Sequence, residues 1–150
     1  MSIDENLAVS RHLSVIYADD LRQEIDGKIT IIGMYQSQML VESFPVTLPK
    51  LAVFITAVTP VAQPFGKVSL QILKDDYVLQ GLDLDLANEE AVGPSTIQEG
   101  VGTREFNIAT IISPLQLDGP CNLRVRWHTE LGIISGRPLM IKAASNGSAQ

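Results

Sequence analysis

Asn122-Leu-Arg-Val-Arg-Trp-His-Thr129 alternates polar and apolar side chains almost one by one. In an extended chain successive side chains point to opposite faces, so Leu123, Val125 and Trp127 share one side while Asn122, Arg124, Arg126 and His128 share the other. A helix would scatter both sets around its circumference. The octet therefore predicts a strand with one dry face and one wet one. The same period recurs over residues 78–86, where Leu82, Leu84 and Leu86 fall together and Asp83 and Asp85 face the opposite way.

Working outward, the chain from His12 to Ala143 divides into short runs rich in Val, Ile, Leu, Thr and Tyr, separated by Gly, Pro, Asp and Asn, which is the strand-and-turn signature. The runs are 13–18, 28–35, 38–41, 51–59, 67–74, 77–86, 104–112, 122–129 and 138–143. About eight or nine strands in an all-β, antiparallel sandwich is the predicted architecture. It occupies residues 12–144 as a single domain, with an N-terminal arm at 1–11 and a disordered tail at 145–150, where SNGSAQ has nothing to bury.

Two runs, Ile29–Met34 and Leu51–Val58, are apolar on both faces, which predicts a central place in a sheet or burial against another subunit. Between them FPVTLP puts Pro45 and Pro49 where no ladder donor is available, suiting a crossing between sheets. Lys74-Asp75-Asp76-Tyr77 predicts a short turn between adjacent strands. The connection 87–103 is long for a compact domain and is read as either functional or mobile.

The 150 residues carry a formal charge of −6, so the overall field repels phosphate backbones and anionic lipid, and nucleic acid and membrane are not expected partners. No stretch approaches the roughly 18 uninterrupted apolar residues of a membrane helix. The single thiol, Cys121, cannot close an intrachain bridge, and a reducing, cytoplasmic location is expected. Only 19% of residues are charged beside 45% apolar, so part of the surface is apolar or covered by a partner, a sign of self-association.

Sites of chemistry are sparse. Asp19, Asp20, Glu24 and Asp26 crowd the first connection and are the candidate ligands for a hard cation, although Asp26-Gly27 is equally a tight-turn pair and the spacing is not that of an EF-hand. Arg124, Arg126 and His128 form a positive stripe able to clamp a carboxylate or phosphate, unless a neighbouring strand bearing Asp83 and Asp85 neutralises it. Cys121 and His128 stand on opposite faces of one strand, which separates a thiol from its only nearby base. With two histidines and no G-x-S-x-G elbow, a hydrolase ranks last, and no catalytic residue or cofactor is assigned. Glycine supplies no phosphate cradle.

The segment YADDLRQEIDGKITIIGMY, followed by FPVTLPKLAVFI, resembles a family of small bacterial and phage-borne all-β proteins of uncharacterised function. The resemblance rests on Asp20, Arg22 and Glu24, on Gly27-Lys28, on Ile32-Gly33 and Tyr35, and on Phe44-Pro45 with Leu48-Pro49. It implies an immunoglobulin-like or related β-sandwich and no assigned reaction. A cysteine often stands in that family where this chain has Asp19, which weakens a redox or metal role there. Gly33, inside an apolar run, marks a bulge, a close backbone approach or room for a large side chain opposite. Arg22 and Glu24 are placed to pair locally.

The resulting expectation is a non-enzymatic sandwich that presents a surface, as a homo-oligomer or as a component of a larger assembly. The alternative is a small-molecule or anion-binding module in which the 87–103 connection covers a pocket and Arg124 or Arg126 meets the ligand.

Overall fold

A computed structural model describes residues 10–87, 97–99 and 102–144, with the backbone alone at 97–99. The chain is all-β. The strands are β1 (His12–Gln23), β2 (Ile29–Tyr35), β3 (Gln38–Val41), β4 (Val46–Leu48), β5 (Leu51–Pro60), β6 (Lys67–Lys74), β7 (Tyr77–Asp85), β8 (Ile97–Glu99), β9 (Thr103–Ile112), β10 (Leu115–Leu117), β11 (Cys121–Thr129), β12 (Gly132–Ser135) and β13 (Leu139–Ala143). Each of the nine runs read from periodicity is a strand. Four short strands, β4, β8, β10 and β12, raise the number beyond the eight or nine expected. No helix among the described residues is long and apolar enough to cross a membrane.

Two sheets face each other. Sheet A runs β2-β1-β5-β9-β8, and sheet B runs β3-β13-β11-β6-β7 with β12 also against β11. Neighbours are antiparallel except β3 and β13, which run parallel. The segment after β3 leaves sheet B, forms β4 against β10, and enters sheet A as β5, so FPVTLP does cross between sheets. Lys74–Tyr77 is a tight turn with Asp75 at φ 53°, a region that Asp tolerates better than most residues.

The inward faces meet as the alternation requires. Val15, Tyr17, Val53 and Ile55 from sheet A pack with Leu70, Ile72, Leu123, Val125 and Trp127 from sheet B. At one end Phe65 stands edge-on to Trp127 with ring centroids 5.5 Å apart and tilts against Phe106 at 5.8 Å. Burying an aromatic side chain of Trp size removes about 200 Å² from water, worth roughly 5 kcal/mol before ordering costs, so this end anchors the sandwich.

The two doubly apolar segments do not share one fate. β5 is central, between β1 and β9, but β2 is an edge strand with Ile32 and Met34 exposed, which corrects the expectation of a central place for it. Among the described residues no strand pairs with its outer edge, because the sheet ends there. Burial against another subunit is the branch of that expectation still open to β2.

Beyond Ala18–Ala52, the last pair between β1 and β5, β1 continues with β2 alone to a turn at residues 24–28. Gly27 closes that turn at φ 83°, donating its N–H to the Glu24 carbonyl at 3.1 Å. Ile25 at the tip is fully exposed.

Candidate functional site

The outward face of sheet A is built by register. Directly opposed residues of antiparallel strands share a face, and the pairings place Met34, Ala18, Ala52 and Ile111 in one row across β2, β1, β5 and β9. The next row holds Ile16, Phe54 and Ala109, and the one after it Ser14, Thr56 and Asn107. On the other side of the first row lie Ile32 and Asp20, with Lys50 bonded to Asp20 at 2.9 Å. That bond comes first among the causes that hold the Asp20 carboxyl below its ordinary range.

Ala18, Ala52 and Val58 are buried, yet all three stand outside the central core, because their side chains point away from it. The two alanines are all but fully covered on this face. Ile32, Met34 and Ile111 are 43%, 56% and 41% exposed. A sheet back that should alternate to polar residues is therefore apolar over two full rows, with a Thr56–Asn107 hydrogen bond of 2.9 Å marking where it turns polar.

The outward face of sheet B carries the basic stripe. Arg124, Arg126 and His128 stand opposite Leu73, Gln71 and Ser69 of β6, and β7 lies one strand further on. The expected neutralisation by Asp83 and Asp85 is thereby corrected: β6 separates the two strands. His128 Nε2 is 3.1 Å from Gln71 Oε1, and the Ser69 hydroxyl donates to Asp83 at 2.7 Å. No acidic side chain among the described residues forms an ion pair with Arg124 or Arg126.

A shallow concavity of about 570 Å³ lies at the end of this face, lined by Lys67, Ser69, Asp83, Asp85, His128 and Glu130 among others. The groups needed for nucleophilic catalysis are near one another but linked in another order. Ser69 is bonded to the carboxylate and His128 to an amide, while His12 Nδ1 is 3.0 Å from the Ser10 carbonyl. Among the described residues neither imidazole is hydrogen-bonded to both a carboxylate and a hydroxyl, the relay that base catalysis requires. Cys121 turns inward against the core, away from His128, and burial pushes its thiol up.

The four acidic residues of the first connection do not converge. Asp19 accepts from the Tyr35 hydroxyl at 2.5 Å, Asp20 holds Lys50, Glu24 accepts from Thr30 at 2.8 Å, and Asp26 pairs with Lys28 at 2.9 Å. Glu24 thus bonds a threonine rather than Arg22, against the expected local pair. No group of three or more potential metal ligands gathers among the described residues. Gly33, at φ 69°, gives Asp19 its room, since a Cβ there would collide with the Asp19 carboxylate. Of the three readings of Gly33, room for the side chain opposite is the observed one, although the occupant, Asp19, is not the large side chain expected.

A cleft of about 280 Å³ opens between the sheets, lined by Leu70, Ile72, Leu82 and Ile108 and bounded by Gln80 and Thr110, whose side chains bond each other at 3.0 Å. Arg124 and Arg126 stand on the opposite side of sheet B from Leu70 and Ile72, so they do not meet this cleft. Residues 88–96, 100 and 101 of the long connection lie outside the described residues, as do residues 1–9 of the arm and the 145–150 tail.

One anchoring residue carried no sequence signal. Arg11, a lone cation before β1, is inserted at the Phe65 end, 7% exposed, donating to the Thr59 hydroxyl, the Gln63 and Pro64 carbonyls and Glu130. Comparison with known protein families and with curated proteins finds no match.

Proposed function

We propose that this protein works by association, using the outward face of sheet A as the surface it presents to a protein partner. The observation that carries the reading is the apolar pair of rows Met34–Ala18–Ala52–Ile111 and Ile16–Phe54–Ala109 on the back of the five-stranded sheet. Contiguous apolar patches of this kind, rimmed by polar side chains, are uncommon on monomers and mark interaction sites. In this reading the protein is not an enzyme. It is an accessory or structural component of a bacterial or phage assembly, located in the cytoplasm or the virion, in keeping with the family it resembles, and its two-layer sandwich is immunoglobulin-like.

The test compares the chain with Phe54→Lys, which puts a charge in the middle of the patch. Light scattering and affinity capture together read association. The reading predicts a heavier species or a captured protein that Phe54→Lys abolishes. A strict monomer with no Phe54-dependent capture would contradict it.

A second reading, binding of a small apolar molecule, is favoured by the cleft between Leu70, Ile72, Leu82 and Ile108. A thermal-shift screen with fatty acids and other apolar metabolites tests it, and a melting temperature that no compound raises removes it.

A further inference from the structure

We infer that the cleft between the sheets takes a short aliphatic chain ending in an uncharged head that both donates and accepts a hydrogen bond, an alcohol or a primary amide. The inference rests on the small-molecule reading of this cleft and specifies its ligand.

The cleft exists because both sheets end on the same side. β7 is the last strand of sheet B, and β8 covers β9 only from Arg104 to Phe106, so beyond Phe106 the inner layer has no closing strand among the described residues. Leu82 stands opposite Leu70 and shares its inward face, yet Leu82 is 48% exposed while Leu70 is buried. An apolar wall left open in this way gains by being covered with a hydrocarbon chain. The open volume, about 280 Å³, is at the small end for ligand pockets, which suits a short chain.

Two polar side chains interrupt the apolar inner layer at this point. Gln80 stands opposite Ile72 and Thr110 opposite Val53, and both of those partners belong to the core, so register turns Gln80 and Thr110 inward as well. They line the cleft and meet each other. The Thr110 hydroxyl donates to Gln80 Oε1 at 3.0 Å, and Gln80 Nε2 donates to the Ile111 carbonyl at 3.3 Å. The second bond fixes the orientation of the amide, since a carbonyl only accepts and must meet the nitrogen.

What this pair leaves unused sets the head group. An amide nitrogen carries two donors, and a hydroxyl oxygen that donates still accepts. One N–H of Gln80 and the lone pairs of Thr110 therefore have no protein partner among the described residues. The two groups flank one 3.0 Å bond, close enough for a single ligand hydroxyl to accept from Gln80 and donate to Thr110. A primary amide does the same with its C=O and NH₂. A carboxylate has no proton to give, sets its charge against the Thr110 lone pairs, and meets no Lys, Arg or His among the described residues lining the cleft. Taking such an ion out of water without a paired cation is costly, and the −6 charge of the chain adds to that cost. A bare alkane covers the spare donor and leaves it without a partner.

Titration of the full chain with 1-octanol, octanamide and octanoate at neutral pH, followed by the NMR amide shifts of Gln80, Leu82 and Ile108, tests the assignment. The alcohol and the amide should bind at least about ten-fold more tightly than the carboxylate. Gln80→Met and Thr110→Val, which keep side-chain size while removing the polar groups, should each weaken octanol binding by about five- to ten-fold and leave octanoate as it was. Circular dichroism confirms that the variants fold; if one does not, the other reads the same pair, and the ranking of the three probes on the unmodified chain stands without either.

Octanoate binding as tightly as octanol would overturn the head-group assignment while the small-molecule reading of the cleft survives. A preference for octanol that both variants leave intact would also overturn it, since Gln80 and Thr110 would then be only a clip between the sheets. If none of the three probes moves those amide shifts, the inference and the reading beneath it fall together.

Discussion

The Tyr17 hydroxyl on β1 donates to the Arg137 carbonyl, 2.9 Å away, and so ties sheet A to the chain entering β13 of sheet B. The same oxygen is 3.3 Å from the Leu123 carbonyl on β11. Burial raises the phenol above its ordinary range, with the nearby Arg137 opposing the shift. A fully buried tyrosine is thus both core filler and a cross-sheet donor.

Tyr17→Phe removes that donor and nothing else. Two carbonyls lose a partner, and the expected cost is about 1–2 kcal/mol. Urea unfolding followed by Trp127 fluorescence measures it, with an unchanged m value showing that the compact state is kept.

Arg11 closes the Phe65 end, its guanidinium 4.6 Å from the Phe65 ring centroid and 2.7 Å from Glu130. Arg11→Met keeps the packing of the stem but removes its four hydrogen bonds, while the Thr59 hydroxyl keeps its own bond to the Gln63 carbonyl, so a loss of about 1–2 kcal/mol is expected. The hydrogen bond from Arg11 holds the Glu130 carboxyl below the usual carboxylate range. A depressed pKa gives stability that is present above the unfolded value of about 4.3 and is lost as pH falls through the folded one. Glu130→Gln should flatten that acid limb of the melting-temperature profile, and an unaltered limb would remove Glu130 as its source.

Tyr35 reports the Gly33–Asp19 arrangement. Burial, together with its bond to Asp19, pushes its phenol up to about 12. A raised pKa contributes stability below the unfolded value of about 10 that disappears as pH climbs toward the folded one. Difference absorbance of the phenolate between the native protein and Tyr35→Phe should place the ionisation near the upper value. Gly33→Ala should return it toward the ordinary range, since the new methyl displaces Asp19, at a cost of about 1–3 kcal/mol for the left-handed backbone.

The nine strands long enough to show two or more turns of alternation are legible in the sequence, as are the crossing at FPVTLP and the turn at Asp75. Strands of three residues, such as Leu115–Leu117, complete too few periods to stand out, and of the two four-residue strands β3 is legible while β12, with Ile133 and Ile134 side by side, does not alternate. Strand order is not written in periodicity, which is why alternation alone sets Asp83 and Asp85 beside Arg124 and Arg126 when β6 intervenes. Apolar residues on both faces signal a central place that β5 takes and β2 does not, because the same pattern serves a covered strand and an exposed sheet back. The association surface is thus visible in the sequence only as an apolar excess; register is needed to gather Ile16, Ala18, Ala52 and Phe54 on one side.

Two methionines supply the most direct measurement. Met34 lies on the outward face of sheet A and Met140 on that of sheet B, and they are comparably exposed at 56% and 51%. Peroxide oxidation read by mass spectrometry across a concentration series should show Met34 becoming protected as a larger species forms while Met140 stays reactive. Equal oxidation of the two at every concentration at which a larger species is present would contradict association through the sheet A face.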